Sequence, residues 1–126
     1  MAIEEEPKEK NPEAEPTYES VYANNHMVEI SFWDLKVLFG QVEQHPKFNI
    51  NYHTAVTMPW AQAKLLGYYL RLQVAWHEAV NGEVKLPSNL VPNKLEATAE
   101  DYENMTPEVR AFWELASRLH REVFGS

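Results

Sequence analysis

HMVEISFWDLKVLF, residues 26 to 39, is the stretch on which the fold turns. Val28, Ile30 and Phe32 alternate with Met27, Glu29 and Ser31; beyond a short corner at Trp33-Asp34, Leu35, Val37 and Phe39 alternate with Lys36, Leu38 and Gly40. Alternation of period two belongs to half-buried strands, so the two runs read as neighbouring strands. The second carries apolar residues on both faces and so belongs at the centre of a sheet, fading near Val42. Upstream, Tyr18 to Ala23 reads as a further strand, joined through Asn24-Asn25, a pair that tolerates positive φ and suits a tight hairpin. Downstream, residues 44 to 49 form a polar loop with His45-Pro46; Ile50, Tyr52, Thr54 and Val56 then alternate with Asn51, His53, Ala55 and Thr57. The expected first half is a small antiparallel sheet of three to four strands.

The period then changes. Met58-Pro59 marks a helix start, with proline in the first turn where its missing N–H costs nothing, and Gly82 marks the end. The roughly 34 Å of helix between them carries Leu65, Tyr69, Leu72, Trp76 and Ala79 on one stripe. Leu66, Tyr68, Leu70, Ala75 and Val80 broaden that stripe. Residues 83 to 97, with Pro87 and Pro92, read as irregular. Thr98 with Asp101 caps a turn of helix, and Thr106-Pro107-Glu108 opens a last helix with an acid in its first turn. Its stripe is Val109, Phe112, Ala116, Leu119 and Val123, with Trp113 and Leu115 beside it and Gly125 closing it. The fold class is α+β: a sheet, one long helix and a C-terminal helix.

The chain divides accordingly. Residues 1 to 17 hold six Glu, two Lys and three Pro, an acidic composition that reads as a disordered, dispensable tail. Residues 18 to 86 carry the sheet and the long helix, and residues 87 to 126 an irregular linker and the last helix. A length of 126 residues with 44% apolar side chains suits one domain with one core. The net charge of −8 repels phosphate backbones and anionic lipid, so nucleic acid is not an expected partner. Arg71, Gln73, His77 and Glu78 interrupt the stretch from Leu65 to Val80, so no membrane insertion is expected. The absence of cysteine excludes disulfides, thiolate catalysis and Cys-bearing metal sites, and fits a reduced, cytoplasmic setting.

YANNHMVEISFWDLKVLFGQ (22 to 41) and VTMPWAQAKLLGYYLRLQVAWHEAVNG (56 to 82) together resemble the small bacterial and archaeal proteins grouped as domain of unknown function 3467. That family's pattern is a Tyr-Ala-Asn opening, a valine-rich strand, a Ser-Pro-Trp-Asp corner, a Phe-Gly strand end and a Ser-Pro helix start. The resemblance covers about residues 20 to 86, leaving the tail and residues 87 to 126 outside it. Phe32 replaces the corner proline, and Met58 stands where a capping Ser usually precedes Pro59, leaving Thr57 as the alternative cap. The resemblance implies a β-rich half followed by a helix. It supplies no activity, cofactor or catalytic residue.

The residues themselves point away from chemistry. His26, His45, His53, His77 and His120 show none of the spacings that place two ligands on one face, and Asn81 stands where a second His would complete a zincin-like start at His77-Glu78. His26 and His53 could meet only through the fold. No serine lies in a nucleophile elbow, and the four glycines form no phosphate-cradling series. Asp34 lies among apolar residues, but an Asp after Trp at a corner more often closes a turn. Arg110, Arg118 and Arg121 are interleaved with Glu108, Glu114 and Glu122 and so track no phosphates. No catalytic, cofactor-binding or metal residue is therefore expected.

What remains is surplus apolar helix, since a short sheet cannot cover both stripes. The second helix is expected to fold over the first, and the chain to pair with another copy. Leu65, Tyr69, Leu72, Trp76, Phe112 and Trp113 are the candidate interaction residues. The function that follows is a non-enzymatic accessory or scaffolding subunit, a homodimer or higher oligomer working with a protein partner or within a larger complex. One alternative is a holdase with a topology like that of the SecB export chaperones; another is a small-ligand-binding or enzymatic domain.

Overall fold

The computed structural model describes residues 17 to 44 and 46 to 125, so the tail expected at 1 to 17 lies outside the described residues apart from Thr17, as does His45. Three strands come first, β1 (Asn25–Ile30), β2 (Asp34–Glu43) and β3 (Asn49–Pro59). They form one antiparallel sheet in the order β1-β2-β3, with β2 central as its two apolar faces require. Helix α1 (Trp60–Asn81) follows β3 with no residue between them. A single 3₁₀ turn (Ser88–Leu90) interrupts the irregular stretch before α2 (Ala99–Glu103) and α3 (Pro107–Phe124). The chain divides into two compact units after Gln73.

In the first unit, Tyr18 to Ala23 is not a strand and Asn24-Asn25 is not a hairpin turn. Hydrogen bonds at and beside this segment run to β2 and β3 singly, without a ladder. The amide of Asn24 donates to the Gly40 carbonyl (3.0 Å) while its own side-chain Oδ1 accepts from the Val42 amide (2.9 Å), so one residue ends the ladder. The carbonyl of Tyr22 meets Nε2 of His53 at 3.0 Å. Among the described residues, the alternation of residues 18 to 23 has no partner strand to act on.

The first hairpin instead joins β1 to β2, with Phe32-Trp33 at its tip. Two-residue hairpins usually need positive φ, which no non-glycine residue in the described chain adopts. Ser31 replaces that device: its amide donates to the Asp34 carbonyl (2.9 Å), its Oγ accepts from the amides of Trp33 (3.1 Å) and Asp34 (3.0 Å), and its hydroxyl donates to Oδ1 of Asp34 (2.9 Å). Asp34 thus closes a turn, as expected of an acid at a corner.

Between β2 and β3 the register runs from Asp34↔Pro59 to Phe39↔Thr54 and then jumps to Gly40↔Tyr52, leaving His53 as the extra residue of a bulge. Gly40 is required there. A Cβ at this position would lie 2.7 Å from the carbonyl oxygen of Asn51 and 3.0 Å from Cα of Tyr52, so two backbones meet where a side chain has no room.

In the second unit the local signals act as read. Gly82 takes φ +97° after α1, with its amide on the Glu78 carbonyl at 2.9 Å. Thr98 and Asp101 form a reciprocal capping box on α2. Thr106 caps α3 by accepting from the Val109 amide at 3.2 Å, ahead of Pro107, and Gly125 closes it at φ +82°. The face that α3 turns inward differs from its apolar stripe. Arg110, Trp113, Ala116, Ser117, His120 and Phe124 are half-buried, whereas Val109, Phe112, Leu119 and Val123 are exposed. Polar ties explain the rotation: Arg110 donates from Nε to the Tyr102 carbonyl and from its guanidinium to the Glu103 carbonyl, both at 2.9 Å, while Nε2 of His120 donates to the Pro92 carbonyl at 2.7 Å.

A core is what the described residues lack. Met58, 8% exposed, is the one buried apolar side chain among them. The apolar composition that suits a single core is present, and much of it stays exposed among the described residues.

Candidate functional site

The register of the sheet sorts its two faces. Cross-strand partners His26↔Phe39↔Thr54, Val28↔Val37↔Val56 and Ile30↔Leu35↔Met58 place nine residues on one face, seven of them apolar. The other face carries Met27, Leu38 and Ala55, and beside them the exposed ion pair Glu29–Lys36 at 3.7 Å. Charge therefore marks one face for water and leaves the other apolar. Val28, Ile30 and Val56 on that apolar face are nevertheless exposed.

Helix α1 continues the theme. Leu65, Tyr69, Leu72 and Trp76 lie along one stripe as their spacing requires, and all four are exposed, Leu65 at 54% and Trp76 at 64%. Trp76 and Val80, in the last turns of α1, also stand open. On α3 the two candidate residues part company: Phe112 is exposed and Trp113 is half-buried. The structure thus brings the four α1 residues together and splits the α3 pair.

One residue that the sequence did not single out, Trp60, shapes this region. The indole Nε1 of Trp60, the first residue of α1, donates to the carbonyls of Ser31 and Phe32, each at 3.1 Å, and so braces the hairpin tip against the helix start. On that braced tip Phe32 and Trp33 stack edge-to-face at 4.7 Å and are 82% and 76% exposed. A Trp directly after the helix-starting proline was the available signal, since its indole N–H needs an acceptor wherever it packs.

Possible chemistry elsewhere is sparse. Both ring nitrogens of His53 are engaged, Nδ1 with the Thr54 hydroxyl at 2.8 Å and Nε2 with Tyr22, so it does not join His26. Asn81 donates from Nδ2 to the His77 carbonyl at 3.2 Å, within the last turn of α1. No group of three or more His, Asp or Glu side chains able to hold a metal occurs among the described residues. An open apolar groove of about 410 Å³ lies between residues 92 to 95 and α3, lined by Pro92, Leu95, Ala116, Leu119, His120 and Phe124. Nδ1 of His120 is buried there without a hydrogen-bond partner. No described helix is long and apolar enough to cross a membrane.

Comparison with known proteins now adds one finding. The family model "Protein of unknown function (DUF3467)" matches residues 1–86, more than half of the chain. The chain belongs to this family. The match reaches residue 1, so the acidic tail lies inside the family region that the motifs alone placed from about residue 20. No curated protein and no solved structure matches significantly. Within DUF3467 the matching motifs acquire physical meaning here: Asn24 ends the β1–β2 ladder, Asp34 closes the hairpin, and Gly40 admits the bulge.

Proposed function

We propose that this DUF3467 protein is a non-enzymatic interaction subunit that self-associates through α1 and serves a larger protein assembly as an accessory or scaffolding part. The observation that carries the reading is the stripe of Leu65, Tyr69, Leu72 and Trp76, four large apolar side chains exposed along one helix face. Water contact over such a stripe is unfavourable by about 25 cal/mol per Å², and covering it is the ordinary remedy. The roles of the motif residues support the same reading, since Asn24, Asp34 and Gly40 act on the backbone of the sheet. A reduced, cytoplasmic setting belongs to the proposal on the strength of a cysteine-free sequence.

Light scattering of the purified full chain at micromolar concentration tests it. A mass of at least two chains is expected, falling to one chain when Leu65→Asp and Leu72→Asp are combined. A wild-type mass of one chain overturns the reading.

A further inference from the structure

Resting on that reading, the geometry specifies what covers the helix. The chain carries an exposed helix stripe and an apolar sheet face that stands open at Val28, Ile30 and Val56, is half-buried along β2 and is buried only at Met58, two residues before α1. Pro59 is the last residue of β3 and Trp60 the first of α1. A helix that folds back onto the sheet it leaves usually does so through a connection of some 2–6 residues. Here it has none, and the indole of Trp60 pins the start of α1 to the hairpin carbonyls at the edge of the sheet.

The dimensions of the two surfaces agree. Outer strands of a three-stranded sheet lie about 10 Å apart, the diameter of one helix with its side chains. The apolar rows from His26↔Phe39↔Thr54 to Ile30↔Leu35↔Met58 run about 14 Å along the strands. Leu65 to Trp76 rises about 16 Å along α1. One helix therefore covers one sheet face, and each chain supplies one of each. Together the two faces offer on the order of 1,000 Å² per chain, above the roughly 800 Å² per partner of a stable interface.

We infer that a second copy of this chain occupies the apolar sheet face, laying the Leu65–Trp76 stripe of its α1 across Val28, Val37 and Val56 while its own sheet receives the first copy's helix. The exchange is reciprocal, which closes the pair about a two-fold axis and leaves no further copy to recruit. The opposite sheet face, with Glu29–Lys36, stays in water.

The cysteine-free sequence makes the test direct. Val56→Cys and Leu72→Cys are made in separately tagged full-length chains, which are mixed, unfolded, refolded together and treated with a short bismaleimide. The expected product is a cross-link carrying both tags, in excess of either like-with-like product. Val28→Cys replaces Val56→Cys should the latter fail to fold. Cross-links dominated by Leu72→Cys with itself would show helix against helix, overturning the exchange while self-association stands. A double variant that cross-links only within one chain would show that the chain's own α1 covers its own sheet, which also overturns it. A one-chain mass by light scattering overturns the exchange and the self-association together.

Discussion

Helix α3 is fastened at both ends and along one side, whereas α1 is anchored at its first residue and closed at its last, with its apolar stripe bare between. Thr106 and Gly125 cap the two ends of α3, and Arg110 and His120 tie its side to the carbonyls of Tyr102, Glu103 and Pro92. Such ties are directional and short-range, so they hold a helix in place even where little apolar surface is covered. Helix α1 has the opposite endowment: abundant apolar surface and few polar ties beyond Trp60 and the Gly82 cap. The difference teaches that the two regions reach stability by different routes. Residues 82 to 125 rely on local bonds, and residues 24 to 81 on strand register, with apolar surface left exposed.

Three substitutions probe that contrast. The largest effect is expected from Gly40→Ala, because the new Cβ meets backbone on the neighbouring strand at the bulge. A loss of about 1–3 kcal/mol in denaturant unfolding is expected, with a fall in oligomer mass because the sheet is one side of the proposed interface; unchanged stability would show that the bulge can shift freely. Next, Arg110→Ala removes two donors to the carbonyls that end α2 and a guanidinium 5.2 Å from the Tyr102 ring. It should cost about 1–2 kcal/mol and leave the oligomer mass as it was. A change in mass would mean the two regions are not independent in assembly. The smallest and most discriminating is Gly67→Ala. Gly67 sits inside α1 opposite the Leu65–Trp76 stripe, and nothing lies within 4 Å of a Cβ built there. Alanine should stabilise by about 0.5–1 kcal/mol, the usual gain from replacing a mid-helix glycine. A loss would reveal a partner backbone closing on the far side of α1.

Much of this organisation was readable from the residues. Three strands, a corner beside Trp33-Asp34, the helix ends at Gly82 and Gly125 and the caps at Thr98 and Thr106 follow from alternation, glycine and capping pairs, which act within a few residues of where they are written, although Pro59, read as the first turn of α1, is the last residue of β3. Tyr18 to Ala23 misled because alternation states only that a segment could pair. Whether it does is decided by a distant group, here Asn24 on Val42 and His53 on Tyr22. The inward face of α3 was hidden for a related reason: counting apolar residues ignores Arg110 and His120, whose hydrogen bonds turn the helix away from its most apolar side. The α1 stripe was fully legible from its spacing. Its bareness was not, because the missing loop between β3 and α1 looks, in sequence, like an ordinary proline start.

That junction also fixes rotational phase. Each residue of an α-helix turns about 100°, so one residue inserted between Pro59 and Trp60 would swing the Leu65–Trp76 stripe about a quarter-turn around the helix axis and carry the Trp60 indole off the carbonyls of Ser31 and Phe32. Residues 83 to 97 impose no such phase, having no helix running through them beyond a single 3₁₀ turn. Length variation in this chain should therefore gather after α1 and be purged before it, as at a keyed coupling between two shafts where a slip of one tooth misaligns everything downstream.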